Sequence, residues 1–433
     1  MDSQVTLARR LSPWSAALFG LSYICPTVVL STFGILMQTT GGAPASAYLT
    51  ATVAILFTAL SYGRMAARWP AAGSAYTYVS SAANPGLGFI AGWVLLLDYF
   101  LVPMVICLFT AKAMELVVPE ISYRVWVVVI ALFTTTVNVL GIQVANRVNL
   151  AITAAQFAVI AALVFLCGDA LRASHSAAGA FTLAPFVNRE TTWPLIMSGA
   201  AIAAYSFLGF DAVTTLSEET FDPTRSIPRA TVFAAGASGL IYIVCSYLMA
   251  LIQQSFRDVD NAGYEVLASV AGRAFLPLFA IVMAAFVASI MCAQAGSARL
   301  LYAMGRDGTL PRPLLTYLHP RFRTPAANVL LIGVAMLAGE WLDVESAAAC
   351  VNFGAFGAFT AVNLCVLYDH FGGRRELPGG LLKLVQGSLA TLATLWLIGS
   401  LHRAALIVGT LWLAAGVLYR VLRLRNGAAR AAG

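Results

Sequence analysis

Long, uninterrupted blocks of apolar residues constrain this chain more than any other feature of its sequence. Many blocks reach about 20 residues, which at about 1.5 Å per residue lets a helix cross the ~30 Å hydrocarbon core of a bilayer. Stretches such as 151–167 and 240–252 are apolar on every face, whereas a β-barrel strand alternates apolar and polar residues. Only 10% of the 433 residues are charged, too few for a water-exposed surface. The sequence therefore predicts an all-α membrane protein.

Glycine, proline and charged residues divide the apolar sequence into twelve predicted transmembrane spans. The last gap, between Ser400 and His402, requires a tight turn, and eleven spans would put the C-terminus outside. The predicted spans cover residues 14–38, 45–66, 86–116, 123–142, 146–168, 193–219, 228–254, 274–305, 325–341, 345–369, 380–400 and 402–424.

The distribution of lysine and arginine predicts the orientation, because cytoplasmic loops carry an excess of both. With twelve spans and a cytoplasmic N-terminus, 19 of the 26 basic residues lie inside, including Arg9, Arg10, Arg374 and Arg375. Seven lie outside: Lys112, Arg124, Arg172, Arg189, Arg257, Arg273 and Arg403. Both termini are therefore predicted to be cytoplasmic, and the net charge of +7 reflects topology rather than a nucleic-acid-binding face.

Two spans carry helix-breaking residues in their middle. Pro26 interrupts the first span, and Gly209 with Asp211 interrupts the sixth. Breaks five spans apart are typical of two inverted five-helix repeats, each beginning with a discontinuous helix beside a midplane site; the alternative is a simple proline kink and an unrelated glycine. We predict a cytoplasmic segment at 1–13, repeats at 14–168 and 169–369, two extra helices at 370–424, and a basic cytoplasmic tail at 425–433.

Acidic side chains inside apolar spans are energetically unfavourable, so those that occur mark candidate functional sites. Asp98 and Asp211 have no basic residue in the same stretch of helix, which favours a functional role. Glu218 is a third candidate, although Glu218 and Glu219 could instead be interfacial acids paired with Arg225 or Arg229. Burial favours the protonated carboxyl group, so we predict that Asp98, Asp211 or Glu218 carries a coupling proton.

Aromatic residues cluster around the breaks and could bind an ammonium group or close a pathway. Packing against lipid or other helices is the alternative for each ring. The predicted substrate-binding residues are Tyr23, Pro26, Thr27, Asp98, Tyr99, Tyr205, Ser206, Phe207, Gly209, Phe210 and Asp211.

Other chemistries find little support in the sequence. The seven cysteines lie in apolar segments without a C-x-x-C pair, and the four histidines lack ligand spacing, so no metal site is predicted. No cofactor motif and no arrangement of nucleophile and base appear, so neither a cofactor nor enzymatic activity is expected. The sequence predicts no particular oligomeric state.

Several motifs in order resemble the amino acid, polyamine and organocation (APC) superfamily of permeases. They are WPAAGSAYTY at 69–78, interpreted as a loop, YSFLGFDAVTTLSEE at 205–219 and RLLYAMGRDG at 299–308. Within the superfamily, the chain is most similar to bacterial putrescine importers, through GLSY at 20–23 followed by Pro26, LFTALSYG at 56–63, LLDY at 96–99 and LSEET at 216–220. The resemblance implies a multi-pass protein of the bacterial inner membrane.

Two departures from the amino acid carriers of this superfamily bear on the substrate. In the amino acid carriers that this chain resembles, the break in the first span is typically rich in glycine, and its free N–H groups receive the carboxylate of the substrate. This chain has Pro26-Thr27-Val28 at the matching position. A family lysine of the fifth span is matched by Gln156, which leaves room for a second ammonium group; Gln156 could also be an ordinary interhelical hydrogen bonder.

The predicted function is therefore proton-coupled import of putrescine or a related polyamine, with a small cationic substrate, protons and the lipid bilayer as partners. Sodium coupling is disfavoured because Ser289 is the only hydroxyl residue near the middle of the eighth span. An amino acid permease, either a proton symporter or an exchanger, is the alternative, and a membrane-embedded ligand sensor is a remote one.

Overall fold

The computed structural model describes residues 11–173, 182–341, 344–372, 377 and 379–432. Within these ranges the chain is helical apart from turns and loops, with one isolated bridge between Leu11 and Thr220. Arg9, Arg10, Arg374 and Arg375, which enter the orientation argument, lie outside the described residues.

Sixteen α-helices are present in the described ranges, and they follow the predicted spans closely. They are α1 (Pro13–Ile24), α2 (Val29–Thr39), α3 (Pro44–Arg68), α4 (Ser74–Ala82), α5 (Pro85–Val117), α6 (Tyr123–Val139), α7 (Ile142–Ala173), α8 (Trp193–Tyr205), α9 (Pro223–Ile252), α10 (Ala262–Ala271), α11 (Phe275–Arg306), α12 (Arg312–Leu315), α13 (Ala326–Ala338), α14 (Val344–Phe371), α15 (Gly380–Gly399) and α16 (Arg403–Ala432).

Nine helical stretches in the described part of the chain are long and apolar enough to cross a membrane. Three shorter apolar helices, α6, α8 and α13, add to them. The tight turn predicted near residue 401 is present, because α15 ends at Gly399 and α16 begins at Arg403. The chain therefore has the architecture of a multi-pass helical membrane protein.

The first span is broken, as predicted from its proline. α1 ends at Ile24, Cys25 adopts a left-handed conformation with φ 54°, and residues Pro26–Val28 form one 3-10 turn before α2 begins. Pro26 has no backbone N–H and cannot continue the α-helical hydrogen-bond ladder. α1 and α2 are thus two halves of one interrupted span.

The sixth span is also broken, but its second half differs from the expectation. α8 ends at Tyr205, irregular turns follow, and Gly209 has a φ of 106°. Residues Asp211–Leu216 then form a 3-10 helix instead of the predicted α-helix. Thr214 and Thr215 each donate a hydrogen bond to the backbone carbonyl three residues earlier, which favours the tighter turn.

Three further helices were not predicted. Residues 69–78, expected to be a loop, include the start of α4, the connection between α9 and α11 contains α10, and the connection between α11 and α13 contains α12. All three helices have ten residues or fewer. They are too short to produce the apolar signal of a membrane span.

α5 lies at the centre of the bundle and α16 at its edge. α5 packs against α4, α11 and α14, while α3 packs along α9. The most apolar 18-residue stretch of the span that contains α5 is 78% buried, whereas the corresponding stretch of α16 is only 17% buried. The apolar side chains exposed on α16 can face lipid, whereas a polar group on α5 must find its partners inside the bundle.

Candidate functional site

The break after α1 is held in place by a glutamine from α7. Gln156 is buried and its Nε2 donates hydrogen bonds to Cys25 Sγ at 3.3 Å and to Thr27 Oγ1 at 3.2 Å. Gln156 is therefore an interhelical hydrogen bonder that lies directly beside the broken segment. Pro26 and Thr27 are buried within that segment.

The two breaks contact each other through Tyr23 and Gly209. A Cβ atom on Gly209 would lie only 2.0 Å from Cδ1 of Tyr23, so the ring packs directly on the glycine backbone. The carbonyl oxygen of Ser206, freed by the end of α8, accepts a hydrogen bond of 2.7 Å from Tyr242 Oη. Where a helical backbone is interrupted at membrane depth, the carbonyl groups that lose their helical partner need other hydrogen-bond donors of this kind.

Asp211 begins the 3-10 segment that follows the second break, and its side chain is fully buried. Its Oδ2 accepts hydrogen bonds from Tyr99 Oη at 2.7 Å and from Ser74 Oγ at 3.3 Å. No hydrogen bond from a described residue reaches its Oδ1. One carboxylate oxygen is thus fixed by the protein and the other remains available.

Asp98 lies on α5, next to Tyr99, and is 2% exposed. α14 approaches closely here, because a Cβ on Gly354 would lie 2.5 Å from the Asp98 backbone nitrogen. Within the described ranges, Oδ1 of Asp98 also has no hydrogen-bond partner. Asp98 interacts electrostatically with Tyr205, the last residue of α8, and with Tyr23.

The structure brings the two acids to one place. Asp98 and Asp211 interact electrostatically with each other, and Tyr23 interacts with both. No salt bridge to either acid is found among the described residues. Two carboxylate groups therefore share a buried site at the helix breaks without a neutralising cation from the described protein.

The predicted aromatic residues divide into two groups. Tyr23 and Tyr99 both lie 3.7 Å from the position a Cβ would take on Gly296 of α11, so they line the same place. Phe210 packs on Tyr62 at a centroid distance of 5.6 Å, beside Asp211. Phe207 instead packs edge-on against Tyr242 of α9, on the other side of the break.

Glu218 and Glu219 have different partners from those considered for them. Glu218 lies 3.0 Å from Arg306 of α11 and accepts a hydrogen bond from the backbone N–H of Ala72, so the pairing with Arg225 or Arg229 is wrong. Glu219 forms a buried salt bridge of 2.5 Å with Arg299. Both acids thus carry a cationic partner, unlike Asp98 and Asp211.

Three side chains around Asp211 were missing from the predicted site: Ser74, Tyr62 and Tyr78. Tyr62 and Tyr78 are completely buried, and both interact electrostatically with Asp211. Tyrosines in an apolar sequence usually pack as hydrophobic side chains, so the sequence did not distinguish them. Ser74 lies in the segment expected to be a loop, and only the fold brings it to the acid.

Comparison with known proteins shows the family to which the sequence belongs. The sequence profile described as amino acid permease matches residues 11–374. The chain is 37% identical to the low-affinity putrescine importer PlaP of Escherichia coli, over 96% of this chain and 94% of the relative. It is 25% identical to the branched-chain amino acid permease BcaP of Bacillus subtilis, over 98% and 95% of the two chains.

A third relative, the methylthioribose transporter of Bacillus subtilis, is 24% identical over 84% of this chain and 81% of its own length. All three relatives are named as transport proteins, and the family profile covers most of this sequence. The chain belongs to the amino acid permease family and is a membrane transporter, not an enzyme.

Proposed function

We propose that this protein imports putrescine or a related polyamine, with Asp98 and Asp211 each binding one ammonium group. The observation that carries the proposal is the pair of buried carboxylates with one unpaired oxygen each. A buried acid without a partner is strongly unfavourable, and a dication would neutralise both at once. The relative named as a putrescine importer supports the same substrate class.

The first break supports a substrate without a carboxylate. An amino acid would need free N–H groups at this position, but Pro26 has none. The amide hydrogens of Gln156 are already donated to Cys25 and Thr27. The substrate is therefore expected to contact acids, carbonyl groups and the rings of Tyr23, Tyr205 and Phe210.

We further propose that import is coupled to protons. In symport the proton and the diamine are carried inward together; because Asp98 and Asp211 are then both occupied by ammonium groups, the third predicted candidate, Glu218, which is paired with Arg306, is left as the proton carrier. The hydroxyl of Ser289 donates a hydrogen bond to the carbonyl oxygen of Tyr23. This hydrogen bond leaves the lone pairs of the hydroxyl free, so the argument against sodium coupling is that Ser289 is the only hydroxyl residue near the middle of the eighth span.

The proposed transport cycle is alternating access around the two breaks. We assign α6, α8 and α13 as spans in addition to the nine longer stretches, which gives twelve spans arranged as two inverted repeats of five and two extra helices. Both termini are then cytoplasmic, in the inner membrane of a bacterium. The interrupted spans α1–α2 and α8 with Asp211–Leu216 support this arrangement.

Uptake into proteoliposomes tests the proposed substrate. Labelled putrescine is expected to accumulate, and unlabelled diamines are expected to compete more strongly than amino acids of similar length. The alternative, an amino acid permease, is favoured by the similarity to the branched-chain amino acid permease BcaP. Inhibition by amino acids together with no inhibition by diamines would replace the polyamine proposal with this alternative.

A further inference from the structure

Three buried oxygens around Asp211 form no close hydrogen bond within the part of the chain that the structure describes. They are Oδ1 of Asp211 itself and the hydroxyl oxygens of Tyr62 and Tyr78. Ser74 lies near the hydroxyl of Tyr62, and Thr214 and Ser217 lie near that of Tyr78. All three side chains have no exposed surface. Buried polar groups are normally well hydrogen-bonded, so three poorly paired oxygens beside one carboxylate call for a specific explanation.

These oxygens are brought together from three parts of the fold. Tyr62 lies on α3, Tyr78 on α4, and Asp211 at the start of the 3-10 segment. The rings of Tyr62 and Tyr78 meet edge to face at 5.9 Å, and Tyr62 also packs on Phe210 at 5.6 Å. Both tyrosines interact electrostatically with the carboxylate of Asp211.

The remaining polar groups at this place are already used. Tyr99 and Ser74 both donate to Oδ2 of Asp211, which leaves Oδ1 as the acceptor that faces an absent donor. The unsatisfied set is therefore one carboxylate oxygen and two phenolic oxygens.

A primary ammonium group matches this set. It carries a positive charge and three N–H donors and has no acceptor. A water molecule has only two donors and cannot neutralise Asp211. The rings of Tyr62 and Phe210 add faces with negative quadrupole potential, which favour a cation.

We propose that Asp211, Tyr62 and Tyr78 form an ammonium subsite that receives one end of the substrate. The other end binds at Asp98. This inference rests on the proposed function and adds two recognition residues, Tyr62 and Tyr78, to it. The subsite accepts a primary ammonium and disfavours a methylated one, because each methyl group removes an N–H donor.

Two conservative substitutions test the subsite. Tyr62→Phe and Tyr78→Phe keep the rings and remove one oxygen each. Putrescine binding, measured in detergent by the ligand-induced rise in melting temperature, is expected to weaken about tenfold in each, the loss of one hydrogen bond to a charged group. Without ligand, the melting temperature is expected to fall little, because neither hydroxyl forms a close hydrogen bond with the described residues.

A matched control variant and two double mutants distinguish a direct role of the tyrosine hydroxyls in substrate binding from an effect on packing. Tyr264→Phe, on α10, removes a hydroxyl that is paired with Ser31 at 2.9 Å and lies outside the site; it should leave putrescine binding unchanged. The loss of putrescine affinity caused by Tyr62→Phe should persist in a protein that also carries Asp98→Asn. It should disappear in a protein that also carries Asp211→Asn, since only this second substitution removes the carboxylate of the same subsite.

Failure of the subsite and failure of the proposed function look different. If the parent protein binds putrescine but either tyrosine variant binds it equally tightly, the three-oxygen subsite is wrong while diamine import stands. If the parent is stabilised by amino acids and not by putrescine, the proposed function is wrong and the subsite falls with it.

Discussion

Single residues define this site through backbone geometry as much as through charge. Gly209 combines a φ of 106° with a direct contact to the Tyr23 ring. A side chain there is disfavoured twice, by conformation and by collision. The position of Tyr23, which interacts electrostatically with both acids, thus depends on a residue without a Cβ.

We expect Gly209→Ala to lower putrescine uptake severely and to destabilise the protein by at least about 1–2 kcal/mol, the penalty of a left-handed alanine alone. Thermal unfolding and uptake check both effects. Gly168→Ala in α7 is the control: a Cβ there meets nothing within 4 Å, so the change should leave uptake intact and slightly stabilise the helix. Equal behaviour of the two variants would contradict the role of Gly209.

At the residue scale, the sequence singled out the acids together with Tyr23 and Tyr99, which lie beside them, and missed Ser74, Tyr62 and Tyr78. Asp98 and Asp211 stand out because a lone carboxylate in an apolar span is rare. Tyr62 and Tyr78 do not stand out, since the sequence alone does not show whether a tyrosine packs as a hydrophobic side chain or binds a ligand through its hydroxyl. Glu218 resembled the other two acids in sequence, but its partner Arg306 is 88 positions away.

At the scale of elements, the end of the sixth span is tied to α11 and to the start of the chain. Glu219 and Arg299 form a buried ion pair, with 4% and 6% of the side chains exposed. The backbone of Leu11 exchanges two hydrogen bonds with this segment, at Glu219 and Phe221. The neighbouring pair of Glu218 and Arg306 is more exposed, at 22% and 41%.

The two pairs should differ strongly on mutation. Glu219→Gln leaves Arg299 buried without a counter-charge, and we expect a loss of about 3–5 kcal/mol in the free energy of unfolding. Glu218→Gln removes a solvent-screened pair and should cost at most about 1 kcal/mol. Chemical denaturation in detergent measures both. A larger loss of unfolding free energy for Glu218→Gln than for Glu219→Gln would contradict the expectation that the more buried ion pair is the more costly one to break.

The interruptions of both broken spans were predictable because proline and glycine act on the local backbone. The 3-10 form of Asp211–Leu216 was not predictable from the apolar pattern, which looks the same for either helix type at this length. α4, α10 and α12 were missed because short helices bury little of their own surface and depend on packing against the larger bundle.

At the scale of the whole molecule, the gradient of burial from α5 to α16 separates the transport site from the lipid. The proposed site lies where the most buried span meets both breaks, so a protonated or ammonium-bound acid there is shielded from solvent. The peripheral α16 contacts α5 through stacked Trp93 and Trp412 rings at 4.9 Å. Trp93 therefore anchors α16 and lies on the face turned to it.

Proton coupling is a property of the whole transport cycle. We expect an inward proton gradient across proteoliposomes to increase putrescine uptake several-fold, because a proton bound from outside travels inward with the substrate and is released inside before the empty protein returns. A protonophore should abolish the increase, and a sodium gradient at constant pH should have no effect. Stimulation by sodium but not by protons would contradict the proposed coupling.

The binding of two ammonium groups by two carboxylates is tested most directly by comparing labelled putrescine uptake in Asp98→Asn, Asp211→Asn and the parent. Each substitution keeps the shape of the side chain and removes its charge. We predict a loss of putrescine affinity of about ten- to a hundredfold in each variant, as expected for a hydrogen bond to a charged group, and none in Asp260→Asn, an exposed control. Uptake at the parental rate and affinity in either site variant would contradict the mechanism.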